Sequence, residues 1–287
     1  MNKQLQGALV ANAASMGFNW IYNIPYLERL AKEQDLIFQP VDAAKYKRAR
    51  KAVLAYPAAN VGDVSLQGEI LRWLYQALKE NPDLTKENYE TLVYEHIKPG
   101  GDYYGWIESY GKKLVYSRLI DDLKTEDTYP EMNDNQLIGF IPYFATKALD
   151  LPNEKAWELA QAFTDNEDYK AFYDVFDFII EEAKKTSLNE ALKASLVKIP
   201  MQFGFKCTMA LNMETPKDML KIVETSCAIG YALPLTFTIL QHTNSFEEAI
   251  KLNTQFGGAS CDRGTLIGFL LAALETVPSD YIEKTNL

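Results

Sequence analysis

An all-α fold is predicted by three features of the sequence. Apolar residues recur three and four apart in most segments, no run of four to eight residues alternates as a half-buried strand does, and the breaks between periodic segments are short and polar. The first periodic segment lies within "GALVANAASMGFNWIYN" (7–23), where Leu5, Leu9 and Met16 fall on one helix side with Ala8 and Asn12 close to it. Next, "SLQGEILRWLYQALKE" (65–80) places Leu66, Ile70, Leu74 and Leu78 four apart, with Trp73 and Ala77 on the same side. Ser65, set off by Gly62, is its expected N-cap. The period returns in "NYETLVYEHI" (88–97), "YKAFYDVFDFIIEEAKK" (169–185), "LNEALKASLVKI" (188–199), "PKDMLKIVETSCAIGYA" (216–232) and "SFEEAIKLNTQF" (245–256). "TKENYE", "TPKDML" and "NSFEEA" set Ser, Thr or Asn ahead of an acidic first turn, as capped helices do. The last long segment, "LIGFLLAAL" (266–274), is apolar on nearly every side, which predicts a buried helix. Breaks fall at "NPDLT", "KPGGDYYG", "TYPEMNDNQ", "DLPNE" and "ETPKD". With no low-complexity linker and no solenoid repeat, one domain over residues 1–287 is expected.

Composition narrows the function. The chain has 287 residues, 47% of them hydrophobic, enough for a substantial core. The 29 Lys+Arg against 39 Asp+Glu leave a net charge of -10, which repels phosphate backbones. The densest basic run, "KYKRARK" (45–51), reads as a solvated helix face, so no nucleic-acid partner is expected. Cys207, Cys227 and Cys261 are far apart and odd in number, which suggests neither a disulfide framework nor a Cys-rich zinc site. The first twenty residues lack the apolar core of a secretory signal, and the longest apolar runs are about half the ~20 residues that span a bilayer. A soluble cytoplasmic protein without a membrane partner is expected.

Four stretches are too polar, or too rich in glycine, for their surroundings. Asn12 sits in a helix otherwise built from Ala, Leu, Val and Met; the plainer account is a buried Asn satisfied by its neighbours. In "ANVGDVSLQGEIL" (59–71), Asp63, Ser65, Gln67 and Glu69 gather at a helix start. They are either caps or the oxygen ligands of a hard cation such as Mg²⁺. In "KPGGDYYGWIESYG" (98–111), Gly101, Asp102, Tyr103, Tyr104 and Trp106 form either an aromatic lid over a planar ligand or a loop pinned to the core by its rings. In "NTQFGGASCDRGTLIGFLLAAL" (253–274), Gly257 and Gly258 allow close backbone approach, and Ser260, Asp262 and Arg263 follow at a helix N-terminus, where N–H groups favour phosphate. The alternative there is an N-cap by Asp262 on a core helix. No GxSxG elbow and no GxxxxGK[ST] loop occurs. His96 and His242, the two histidines, both read as helix C-terminal residues.

The first, second and fourth stretches together resemble the ADP-ribosylglycohydrolase family, in the branch that includes the J1-crystallin-like proteins. "GALVANAASMGFNWIYN" is similar to the family's opening G-A-L-x-A-D-A-L-x-M helix with its following W-x-Y, and "VGDVSLQGEILRWLYQAL" to the segment that carries its first metal ligands. "AIKLNTQFGGASCDRGTLIGFLLAA" resembles the C-terminal G-G-D-x-D segment and its buried helix, and "GGDYYGWIESYGKKL" a ligand-covering loop. The resemblance implies a single-domain helical bundle with a central cleft, two Mg²⁺ ions, and cleavage of the glycosidic bond joining ADP-ribose to a protein side chain or small acceptor. In such a reaction the metal pair orients the ribose and activates water while an acid manages the proton.

The sequence departs from the family at positions that matter. Asn12 stands where relatives often carry Asp, the T-D-D-T run is absent, Ala259 replaces the first C-terminal acid, and Cys261 falls at the second. Asp262 survives one residue away, a turn of ~100° on a helix. A soft thiol is a poor ligand for Mg²⁺, so one weakly held ion or none is expected. The expected metal-facing residues are Asp63, Ser65 and Asp262; the acid/base pair is Asp63 and Glu69. Ligand contacts are expected from Asn12, Gly101, Asp102, Tyr103, Tyr104, Gly257, Gly258, Ser260 and Arg263. The expected partner is a small-molecule or ADP-ribosylated substrate. Two functions follow: a hydrolase with an altered metal site, or a non-catalytic relative that binds a nucleotide-sugar or serves structurally as a crystallin does. Both place Asn12, Asp63 and Asp262 around one oxygen-lined hollow.

Overall fold

Two helices rich in small residues lie against each other at the centre of the protein, whose computed structural model describes residues 1–119 and 135–287. They are α1 (Lys3–Ala14) and α14 (Ser260–Leu274), one near each end of the chain. Both are buried on all sides along most of their length, as expected of helices without a polar face. Glycines set their spacing. A Cβ on Gly268 would overlap the carbonyl oxygen of Gly7 and lie 2.5 Å from the Cβ of Ala11, and a Cβ on Gly7 would lie 2.6 Å from the Gly268 oxygen.

Between them in chain order come α2 (Ile24–Ala31), α3 (Ala43–Ala49), α4 (Leu66–Glu80), α5 (Lys86–Ile97), α6 (Ser109–Leu119), α7 (Ile141–Lys147), α8 (Asn153–Ala160), α9 (Asp168–Ala183), α10 (Leu188–Ser195), α11 (Met201–Asn212), α12 (Ile229–Gln241) and α13 (Phe246–Phe256). α15 (Ser279–Glu283) follows α14 and packs on α1. On one side α4 rests on α1 and α7, and α5 joins α4 to α6 and α8. On the other, α13 packs on α14 and α2, and α12 on α11 and α13. Phe269 of α14 meets the rings of Tyr143 and Phe144 in α7 at 5.6 and 4.6 Å, which ties the outer layer to the centre. One buried apolar cluster runs through these helices from Leu5 to Tyr281. Among the described residues there is no strand, and two isolated bridges, Ile21 with Ala52 and Gln136 with Ala228, stand apart from any sheet. The fold is all-α, as predicted. No helix among the described residues is long and apolar enough to cross a membrane.

The periodic segments become helices within a residue or two, with one exception. "PKDMLKIVETSCAIGYA" carries a helical period, yet only Pro216–Lys221, as a 3-10 turn, and the part from Ile229 onward are helical. The intervening residues are drawn into contacts with distant chain. Cys227 O accepts from Leu137 N at 3.1 Å, Ile229 N donates to Asn135 O at 2.8 Å, and Thr225 O accepts from Ala259 N at 2.9 Å. Those three bonds replace local ones, so tertiary pairing overrides the period. Caps form as expected at Thr85 and Ser245, whose hydroxyls accept from Asn88 N and Glu248 N. Ser65 stands at the expected position. It occupies the N-cap of α4, but its side chain caps nothing. Thr215 likewise precedes its helix without capping it and donates to Asp218 instead. The break expected at "TYPEMNDNQ" (128–136) lies mostly outside the described residues.

Candidate functional site

A cavity of about 630 Å³ opens beside the start of α4. Three pieces of chain wall it: the loop from Leu54 to Val64, Glu69 and Trp73 one and two turns into α4, and the loop from Asp102 to Trp106. The last of these is folded back on the end of α5. Gly100 has φ +83°, and Gly101 passes so close to the His96 carbonyl that a Cβ would overlap it. Tyr103 N then donates to His96 O at 3.1 Å, and Asp102 Oδ1 meets His96 Nδ1 at 2.6 Å. His96 stacks on Trp73 with centroids 4.0 Å apart, and Tyr103 meets the same indole edge-on at 5.9 Å. The result is an aromatic wall of Tyr56, Trp73, Tyr103 and Trp106, with Tyr104, 92% exposed, at the mouth.

Three carboxylates line the cavity, those of Asp63, Glu69 and Asp102. Burial raises the pKa of Glu69; its ion pair with Arg72, at 3.3 Å, opposes the rise, and the negative charge of Asp63 adds to it. The hydrogen bond from His96 lowers that of Asp102. Asp63 is held by its neighbours. Its Oδ2 accepts from Asn60 N at 2.7 Å and Asn60 Nδ2 at 3.3 Å, and its Oδ1 accepts from Asn286 Nδ2 at 2.7 Å. Asn286 is placed in turn by its own N–H, which donates to Gly62 O at 2.9 Å. Asn286→Ala is therefore expected to lower stability by about 1 kcal/mol. Chemical denaturation of Asn286→Ala, Asp63→Ala and the double variant checks this: the two effects should not add, because one bond joins the side chains.

Behind the aromatic wall lies a carboxylate that the sequence did not single out. Glu108, only 2% exposed, accepts from Tyr56 Oη at 2.9 Å, and the same phenol oxygen accepts from Leu66 N at 3.2 Å. Burial, with Glu108 adding, pushes the Tyr56 phenol well above its usual range, so it stays a donor. A glutamate just ahead of a helix reads as an ordinary first-turn acid, and nothing in its neighbours signals burial. Tyr56 carries no sequence signal of a site, and the spacing places Trp73 on the core side of its helix, yet both line the cavity.

The remaining expected site residues are spent on one another. Asn12 is fully buried; its Oδ1 accepts from Ser65 N at 2.8 Å, and its Nδ2 donates to Ser65 Oγ at 2.9 Å and Thr265 Oγ1 at 3.0 Å. It thus clamps the start of α4 to α14, which is the plainer account of a buried Asn. Arg263, also fully buried, donates from Nη2 to Asn253 O at 3.0 Å and Gly257 O at 2.9 Å, and from Nε to Asn253 Oδ1 at 2.7 Å. It satisfies the last carbonyls of α13, where a cation also suits the helix dipole. Burial brings its pKa down to about 10, so the guanidinium stays charged at neutral pH.

Nor is the glycine turn a phosphate cradle. Gly257 and Gly258 have φ +64° and +62°, and the N–H groups that follow are already bonded: Gly258 N to Ile21 O at 2.8 Å, Ala259 N to Thr225 O at 2.9 Å, and Cys261 N to Asn19 Oδ1 at 3.1 Å. Ser260 Oγ donates to Ser15 O at 3.3 Å. Asp262 is 1% exposed and lies inside α14, whose N-cap is Ala259, so it is not the cap. Asp63, Glu69, Asp102, Tyr103 and Tyr104 line this cavity, while Asn12, Ser65, Gly101, Gly257, Gly258, Ser260, Asp262 and Arg263 do not. His96 and His242 keep structural places; His242 bonds Thr238 O and Met213 O.

These residues do not suit a pair of Mg²⁺ ions. Asp63 is engaged by three N–H groups, and Ser65 Oγ accepts from the Asn12 amide, which has no charge to give a cation. Among the described residues no three His, Cys, Asp or Glu side chains converge as a metal site. Burial also raises the Cys261 thiol well above its usual range.

No family model and no curated protein matches the sequence. Solved structures do match the fold. One, described as an ADP-ribosylglycohydrolase-related protein complex, superposes with a TM-score of 0.66 over 100% of this chain and 93% of that one, at 12% identity. Identity that low speaks for architecture alone, and with the helix order above it establishes that the chain has the all-α ADP-ribosylglycohydrolase-like fold.

Proposed function

We propose that the chain is a hydrolase acting on a glycosidic bond of an ADP-ribosyl or related substrate, and that it works without Mg²⁺. The observation that carries this reading is the placing of Glu69 and Asp63 on one aromatic-walled cavity, with burial raising the pKa of Glu69 from its ordinary value. Such a pair divides the labour of glycoside cleavage. The Glu69 carboxyl donates its proton to the leaving atom as the glycosidic bond breaks. Asp63, fixed by Asn60 and Asn286, stabilises the oxocarbenium-like centre and orients the water that attacks it. Trp73, Tyr103 and Trp106 stack on the flat faces of the substrate and exclude solvent.

The test is release of free sugar from ADP-ribosyl-arginine and from simpler N- and O-glycosides, followed by mass spectrometry in EDTA. Turnover is expected to persist in the chelator and to fall by about 10²–10⁴ in Glu69→Gln. A raised pKa also has a stability sign: the ionised form is less favourable folded than unfolded, so the contribution of Glu69 is full at low pH and fades as pH rises through its folded pKa. Glu69→Gln should therefore melt no lower than the parent above neutral pH. Turnover that requires Mg²⁺, or that survives Glu69→Gln, contradicts the proposal. A second reading is favoured by the engagement of both Asp63 oxygens. On that reading the chain is a non-catalytic relative, of the J1-crystallin-like branch, that binds a nucleotide-sugar ligand or has a structural role. Binding of ADP-ribose without any release supports it.

A further inference from the structure

We propose that the outward face of α11 is a self-association surface, on which a second copy of this chain packs antiparallel to form a weak symmetric dimer.

The inner face of α11 serves the fold: Cys207, Ala210 and Leu211 are buried, and the helix lies on α12. Its outer face begins apolar. Met201 and Phe205, four apart and so on one side of the helix, are 92% and 73% exposed. Val197, in the 3-10 turn ahead of the helix, is 89% exposed. With Tyr104 these are the most exposed large apolar side chains among the described residues. Together they make a patch of the order of a few hundred Å², the size at which the largest patch of a monomer is often functional. The polar side chains around them are turned away. Gln202 Nε2 donates to both oxygens of Asp168 at 2.7 and 2.6 Å, Lys198 Nζ lies 4.9 Å from the Phe178 ring centre, and Lys206 Nζ lies 4.5 Å from that of Tyr231. A partner that covers the patch therefore leaves no unpaired charge beneath it.

Gly204 points to a helix as the covering element. A Cβ at this position would meet nothing within 4 Å, so the fold makes no demand for glycine. Glycine within an exposed helix is less stable than alanine. What it provides is a notch beside Met201 and Phe205 that lets another backbone come close. The face is also complementary to itself when reversed. With a two-fold axis at the level of Phe203, Met201 of each copy meets Phe205 of the other, sulfur against ring, and a Gly204 notch lies on either side of the axis. The charged groups set around the face, Lys198, Lys206 and Asp168, have no negative excess, whereas the chain as a whole carries -10. Two copies therefore repel less here than over an average part of their surfaces. The patch is smaller than the ~800 Å² per partner of a standard stable interface, which makes the dimer weak.

The test is sedimentation velocity of the full chain across a concentration series. A reversible monomer–dimer equilibrium is expected, with a dissociation constant of about 10–100 µM that tightens as salt screens the like net charges. Phe205→Glu should weaken it by about tenfold or more, with the melting point of the dilute protein unchanged because the ring lies mostly in solvent. Gly204→Ala separates the interface from the fold, since its two effects have opposite signs: the dilute protein should melt higher while the dimer becomes weaker. Met201→Cys and Phe205→Cys proteins, mixed and mildly oxidised, should cross-link to each other faster than either does to itself. A chain that stays monomeric at every concentration overturns the inference, even if phosphatidylcholine vesicles or a helix of another protein take up the patch instead. So does a dimer that Phe205→Glu and Gly204→Ala both leave as tight as the parent, or cross-linking only of like with like.

Discussion

Gly268→Val is expected to prevent folding. The new Cβ would fall on the carbonyl oxygen of Gly7 and against Ala11. Both obstacles belong to the other central helix, so relief requires α1 and α14 to separate. Neither helix has a polar face to turn outward; separation exposes side chains that are now buried along both lengths. Overpacking at a yielding site costs about 1–3 kcal/mol, and a backbone clash between two buried helices belongs at or above the top of that range, about 3–5 kcal/mol. Gly264, whose Cβ would lie 2.9 Å from Ala11 O and 3.2 Å from the Ser15 hydroxyl, is the graded control. Gly264→Ala should lower the melting point yet leave a folded protein. Circular dichroism melts of the two variants check the order; a Gly268→Val protein that melts with the parent would mean the helices are not in contact at this point.

Arg263→Met is expected to be nearly as damaging, by a different route. The substitution preserves length and apolar bulk but removes the donors to Asn253 O, Asn253 Oδ1 and Gly257 O. Those acceptors are buried, so no water replaces the guanidinium. Breaking one side of a buried charged network costs about 3–5 kcal/mol, because what remains is left uncompensated. Here the adjacent Asp262 also loses the positive charge that lies in its field. Lysine should not rescue the site, since one ammonium cannot reach two carbonyls and an amide oxygen in a planar fork. The readouts are the urea midpoint and amide exchange of α13, whose last turn should lose protection first. Unchanged exchange there would refute the assignment of Arg263 as the terminator of that helix.

Several features were plain before any coordinates. The helices α4, α5, α9, α10 and α13 follow from apolar residues three and four apart, and the burial of α1 and α14 from the want of a polar face. Asp63, Glu69, Asp102, Tyr103 and Tyr104 share one cavity, and their segments had each been marked as too polar or too glycine-rich for their surroundings. Glu108 and Tyr56 were missed because their significance lies in each other, 52 positions apart in the chain. Arg263 and the glycine turn were misread in the opposite sense. Free N–H groups and a guanidinium at a helix start look like an anion site when their bonding partners cannot be seen.

Local order was written in the amino-acid sequence by itself: the helical class, the segments that become helices, and the two that are buried on every side. Those properties depend on neighbours within a turn or two. Which polar groups remain available for a ligand was decided only by the tertiary structure. Asn12 reaches Thr265 across 253 positions, and Asp63 reaches Asn286 across 223. A buried polar atom takes the nearest partner that folding brings to it, and no local pattern states which one that is.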